Sequence, residues 1–147
     1  MRVRDAVEDD AEAIAAISGR PVDAVREMIH DRSIRVGLPD RSDQNDRSDP
    51  DEKSRPDPIG YVAFDARRDT VHVTGFGGSE EAITRLFEEP KRFASGEGLS
   101  LEVIVDQDET RHRTLLEEVG FERAGAGPRF EGTPTVRYRI PANDREK

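Results

Sequence analysis

Leu99-Ser-Leu-Glu-Val-Ile-Val-Asp106 is followed, after a polar stretch, by Leu115-Leu-Glu-Glu-Val-Gly-Phe-Glu-Arg-Ala-Gly125. In the first segment Leu99, Leu101, Val103 and Val105 alternate with Ser100, Glu102, Ile104 and Asp106. That is the period-two pattern of a strand. In the second, Leu115, Leu116 and Val119 share one helical face, and Gly120 stands where a helix commonly ends in a left-handed residue. Asp106 or Asp108 is expected to cap this helix. Phe121 to Gly125 reads as the next strand. Strand, helix and strand in this order predict a crossover inside an α/β sheet.

The pattern extends upstream. Pro58 to Arg67 contains a strand through Ile59, Tyr61, Val62, Ala63 and Phe64, and Asp69 to Thr74 a second. The short Arg67-Arg68-Asp69 link makes them a hairpin. Gly75-Phe-Gly-Gly78 reads as a glycine-rich loop, with Ser79 as N-cap of a helix from Glu80. That helix carries Ala82, Ile83, Leu86, Phe87 and later Phe93, with a kink or break expected at Pro90 and an end at Gly96 and Gly98. Earlier still, Met1 to Val7 predicts a strand. Ala11, Ile14, Ala15 and Ile17 predict a helix stopped by Gly19. Pro21 opens a second helix with Val22, Val25, Met28 and Ile29 as its stripe. Ser33 to Leu38 and Thr135 to Ile140 complete the strands. The order β-α-α-β-β-β-α-β-α-β-β predicts one α/β domain over residues 1–142, with a mixed central sheet and helices on both faces, and a polar tail at 143–147.

Pro39 to Asp57 contains no aliphatic or aromatic residue. Such a stretch buries too little surface to offset its ordering entropy, so a flexible acidic surface loop is expected at 39–57. Replacing it with a short Gly-Ser linker should leave thermal unfolding in high salt nearly unchanged. A loss above ~2 kcal/mol, large for a surface change, would show that the loop packs.

The chain has 147 residues, a formal net charge of -9 and no cysteine. Disulfides, thiolate metal sites and a cysteine nucleophile are therefore excluded. His30, His72 and His112 lie far apart in sequence, so no transition-metal site is expected. Lysine occurs only at Lys53, Lys91 and Lys147. Acidic excess with scarce lysine points to a salt-rich cytoplasm, where a Debye length of about 3 Å at 1 M screens carboxylate repulsion. Unfolding midpoints are accordingly expected to rise from low to molar KCl, as followed by circular dichroism, and a flat profile would contradict salt adaptation. The same charge argues against nucleic-acid binding, which needs a basic stripe. No apolar run approaches the ~20 residues of a membrane helix, and Met1 to Asp10 lacks the apolar region of a signal peptide. A cytoplasmic protein is expected.

Two stretches then carry a resemblance. Val3-Arg-Asp-Ala-Val-Glu-Asp-Asp-Ala-Glu-Ala-Ile-Ala-Ala-Ile17 resembles the arginine-led strand and Asp-Ala-rich first helix that open the GNAT N-acetyltransferases. Leu115 to Gly125 is similar to that family's Leu-Tyr-Glu-Lys-Leu-Gly-Phe-x-x-x-Gly segment. With the element order, these make the chain resemble a divergent, haloarchaeal-type member of the family. The resemblance implies transfer of an acetyl group from acetyl-CoA to a small-molecule or peptide amine. It implies a cleft where the fourth and fifth strands splay apart. It places the pyrophosphate on Val73, Thr74, Gly75, Phe76, Gly77, Gly78 and Ser79, with Gly75 and Gly77 standing for the two glycines of the family's loop. Close approach of backbone to phosphate needs glycine, so a side chain at Gly77 is expected to block the cofactor and spare the fold.

The sequence also departs from the family. The basic or amide position of the loop falls on His72. Glu80 and Glu81 place negative charge in the first helical turn. The family's thiolate-protonating tyrosine falls on Leu116 and its cofactor-contacting asparagine on Glu109, leaving Tyr61 and Tyr138 as the only phenols. Glu102, Asp106 and His72 are the candidate general bases. Three readings stay open at this stage: an active CoA-dependent acyltransferase, a related binding domain without catalysis, and an unrelated small α/β domain.

Overall fold

The structure is a computed structural model, and it describes residues 1–39, 57–129 and 132–142. Residues 40–56 of the loop expected at 39–57, and the tail at 143–147, lie outside the described residues. Among the described residues seven strands form one mixed sheet in the order β1-β2-β3-β4-β5-β7-β6. The elements run β1 (Arg2–Asp5), α1 (Ala11–Ser18), α2 (Val22–Asp31), β2 (Ser33–Leu38), β3 (Gly60–Arg67) and β4 (Thr70–Gly78). They continue with α3 (Glu80–Leu86), α4 (Glu88–Glu97), β5 (Ser100–Asp106), α5 (Thr110–Val119), β6 (Glu122–Ala126) and β7 (Thr135–Ile140). The chain groups into two compact units, Met1–Ala63 with Gly75–Leu86, and Phe64–Thr74 with Phe87–Lys147.

In the first unit β1 pairs antiparallel with β2, from Arg2↔Leu38 to Asp5↔Arg35. The apolar stripes of α1 and α2 meet a core of Ile14, Val25, Met28, Ile34, Val36, Tyr61 and Ala63. Gly19 ends α1 at φ 78, the left-handed geometry that glycine adopts without a Cβ penalty. A part-buried pair ties strand to helix: Arg4 Nη1 and Nη2 donate to Asp10 Oδ2 and Oδ1 at 2.8 and 3.1 Å. The Val7 amide donates to the same carboxylate at 2.8 Å.

In the second unit β5 pairs antiparallel with β7, and β7 with β6. Leu101, Val103, Val105, Leu115, Leu116, Val136 and Tyr138 fill its core. Phe87 and Phe121 pack edge to face at 5.5 Å.

Several expectations are corrected. Gly75 to Gly78 extend β4 and do not form a loop. The helix break falls at Phe87, between α3 and α4, and Pro90 sits buried in the first turn of α4. Proline is tolerated there because a first-turn amide has no intrahelical partner to lose. Gly96 lies within α4, and Gly98 ends it at φ 72. Phe93 is 40% exposed, with its ring centroid 5.9 Å from that of Phe64. Glu109 is the N-cap of α5 and makes no side-chain cap bond. The turn before it closes through the backbone oxygens of Asp106 and Asp108 instead of their carboxylates.

Candidate active site

The stretch expected to hold the cofactor is the second half of β4 and its junction with α3. Parallel pairing of β4 with β5 covers Thr70↔Ser100 to Val73↔Val103. It goes no further, although β4 continues to Gly78 and β5 to Asp106.

The glycines of β4 are explained by their neighbours. A Cβ at Gly75 would meet the Tyr61 hydroxyl at 3.2 Å. One at Gly77 would meet Ile17 Cγ2 at 2.9 Å and Tyr61 Cε1 at 3.1 Å. The Tyr61 ring thus lies across the space that side chains on β4 would fill, and a larger residue at Gly77 would displace it. The expectation that substitution at Gly77 spares the fold is corrected on this ground. Gly78 has φ 123, and a Cβ there would stand 2.5 Å from the Ile59 carbonyl oxygen. Behind it, a Cβ at Gly60 would meet Ala82 Cβ at 2.9 Å. Glycine on both strands lets α3 approach β3 closely.

Ser79 is the N-cap as expected: its Oγ accepts the Ala82 amide at 3.1 Å. Glu80 and Glu81 occupy the first turn of α3 and are exposed.

Tyr61 is 2% exposed. Burial pushes its phenol up, against the pull of Arg20's charge and of hydrogen bonding to Ser18 and Arg20. Tyr138 is fully buried and already engaged. Arg113 Nε donates to its oxygen at 3.2 Å, and the hydroxyl donates to Glu117 Oε2 at 3.2 Å. Leu116, at the position of the family's tyrosine, is fully buried core. Glu109, at the asparagine position, stands 3.6 Å from His112 Nδ1.

Of the three candidate bases, two come together. His72 and Glu102 are register partners on β4 and β5, and His72 Nδ1 lies 3.9 Å from Glu102 Oε1. The imidazole side chain is 40% exposed and the carboxylate 15%. Asp106 is exposed at the end of β5. Sequence reasoning missed the rest of this cluster. Arg139 Nη1 reaches Glu102 Oε2 at 3.4 Å, and Arg137 Nε lies 3.9 Å from Glu102 Oε1. The alternation of Thr135 to Ile140 would have put both arginines on one side of β7, but no sequence signal says which strand lies beside it.

Among the described residues no group of three His, Asp or Glu side chains is placed to hold a metal ion, and no helix is long and apolar enough to cross a membrane.

Known folds match this arrangement end to end. Phosphinothricin acetyltransferase of Sinorhizobium meliloti, a GNAT superfamily protein solved with acetyl-CoA, superposes with TM-score 0.68 at 18% identity, covering 97% of this chain and 89% of its own. Arabidopsis thaliana NAA60, solved with a bisubstrate analogue, gives 0.73 at 16% identity over 98% and 99%. The ribosomal-protein-S18-alanine N-acetyltransferase of Escherichia coli gives 0.71 at 10% identity over 99% and 96%. No protein-family model matches the sequence, and no curated protein does. The fold is that of the GNAT acyl-CoA N-acyltransferases.

Proposed function

We propose that this chain is a divergent GNAT family member that transfers an acetyl group from acetyl-CoA to an amine. What supports the reading is a fold shared over nearly the whole of both chains with acetyltransferases solved with acetyl-CoA or a bisubstrate analogue. The β4–β5 pairing that stops at Val73↔Val103 adds to it.

The cosubstrate would lie along Val73, Thr74, Gly75, Phe76, Gly77, Gly78 and Ser79. The backbone fits this role in part: an extended strand turns at left-handed Gly78 into a helix capped by Ser79. The charges fit less well, because Glu80 and Glu81 add carboxylates beside a pyrophosphate. Acetyl-CoA would supply an acetyl group activated as a thioester.

His72 is the base in this account. Its imidazole takes one proton from the incoming ammonium, directly or through water, and Glu102 stabilises the imidazolium that forms. The amine nitrogen bonds to the acetyl carbonyl carbon while the carbon–sulfur bond breaks. Leu116 has no proton to give, so the sulfur takes the second proton of the nitrogen. His72 then returns its proton to solvent. The acidic surface and the scarcity of lysine support a salt-rich cytoplasm as the place of work.

Glu80→Gln with Glu81→Gln should tighten CoA binding by about 1 kcal/mol, roughly five-fold in Kd, at low salt. The gain should fade in molar KCl, where screening is strong. Calorimetry at the two salt concentrations checks both halves.

A second reading, a binding domain without catalysis, is favoured by the buried Leu116 and by the same two glutamates. Release of free CoA thiol from acetyl-CoA in the presence of mixed amines in molar KCl separates the two. Amine-dependent release supports the transferase, and CoA binding without release supports the binding domain.

A further inference from the structure

Alternation along β4, β5 and β7 puts His72, Ser100, Glu102, Ile104, Arg137 and Arg139 on one side of the sheet, as their pairing shows: His72↔Glu102, Glu102↔Arg139 and Ile104↔Arg137. One carboxylate there serves two guanidinium groups and an imidazole. Glu122 and Asp106, the other acids that the register puts on this side, are exposed. At the cluster's centre two guanidinium groups share the one carboxylate of Glu102, while Glu122 and Asp106 stand at its edge.

The two arginines differ. Arg139 is tied at both ends of its fork, by Nη1 to Glu102 at 3.4 Å and by Nη2 to the buried Ser100 Oγ at 3.0 Å. Arg137 meets Glu102 only through Nε, and among the described residues its two Nη groups make no hydrogen bond. Its side chain is 38% exposed. A planar fork with both terminal nitrogens open suits a carboxylate taken two-pronged. The position matters as well. Arg137 Nε and His72 Nδ1 each lie 3.9 Å from the same oxygen, Glu102 Oε1. These contacts limit their separation to on the order of 8 Å. Two hydrogen bonds of about 2.9 Å and the short span of an α-amino acid bridge such a distance.

We propose that the acceptor is an amine bearing a carboxylate close to the nitrogen. Arg137 binds the carboxylate and sets specificity, while the amine faces His72. This assignment rests on the acyltransferase reading for its chemistry, but the binding site exists without it.

The test is an NMR titration of the CoA-free chain in molar KCl. It follows the His72 imidazole and the Arg137 Nε–H signals as α-amino acids and their decarboxylated amines are added. The amino acids should shift both signals at least ten-fold more tightly than the matched amines. Arg137→Gln should erase that preference, and Arg137→Lys should restore part of it. Equal binding of the two ligand sets, no binding of either, or an unchanged preference in Arg137→Gln would overturn the proposal. Calorimetry with acetyl-CoA on the same samples keeps the two claims apart. Absent heat with the amino-acid preference intact sinks the acyltransferase and leaves the site. Heat without the preference does the reverse.

Discussion

Gly78→Val should lower the unfolding free energy by about 4 kcal/mol, enough to unfold a typical domain in part. Two effects add. Gly78 sits at φ 123, where a side chain is strained, a term of roughly 1–3 kcal/mol. Its Cβ would also stand 2.5 Å from the Ile59 oxygen and 2.6 Å from Gly60 Cα. Both are backbone atoms that cannot swing aside, and overpacking adds roughly 1–3 kcal/mol more. Denaturant unfolding in molar KCl measures the sum. A loss below about 1 kcal/mol would show that the β4–α3 junction tolerates a side chain, and the packing account of these glycines would fail with it.

Asp10→Ala should remove about 3 kcal/mol. The carboxylate is 5% exposed and accepts from Arg4 twice and from the Val7 amide once. Breaking one side of a buried pair typically costs about 3–5 kcal/mol, and the lower end applies because Arg4 is a third exposed and part-screened. The hydrogen bond to Asp10 raises the Arg4 guanidinium's pKa further, so Arg4 stays charged at ordinary pH. Asp10→Asn keeps one acceptor for Val7 and should lose less. Equal and small losses in both variants, again by denaturant unfolding, would show that the pair is incidental.

That pair also explains one of the resemblances. An arginine-led strand before an acidic, alanine-rich helix looks like a signature, and here its physical content is Arg4 closing onto Asp10. Sequence showed this kind of feature well where periodicity is strict. Ser33–Leu38 and Thr135–Ile140 are strands with the expected ends, because Ile34, Val36 and Leu38 recur at every second position in one and Val136, Tyr138 and Ile140 in the other. It failed where a residue type has two uses. Gly75 to Gly78 looked like a loop because glycine is common in loops. In the structure they stay in β4, where Gly75 and Gly77 make room for Tyr61, a partner more than ten residues upstream that no local pattern reveals. Pro90 looked like a break, yet its place in the first turn of α4 suits proline. The candidate site was legible by halves. His72 and Glu102 were both singled out from their strands, but their pairing depends on β4 lying parallel to β5. Arg137 and Arg139 come to the same oxygens only through the register of β7 on β5, which is tertiary information.

The central claim, that this chain binds acetyl-CoA along β4, is tested most directly by calorimetric titration of the unmodified chain with acetyl-CoA in molar KCl. The account predicts saturable heat at one site per chain, weakened by added free CoA. No heat and no thermal shift at millimolar acetyl-CoA would contradict it.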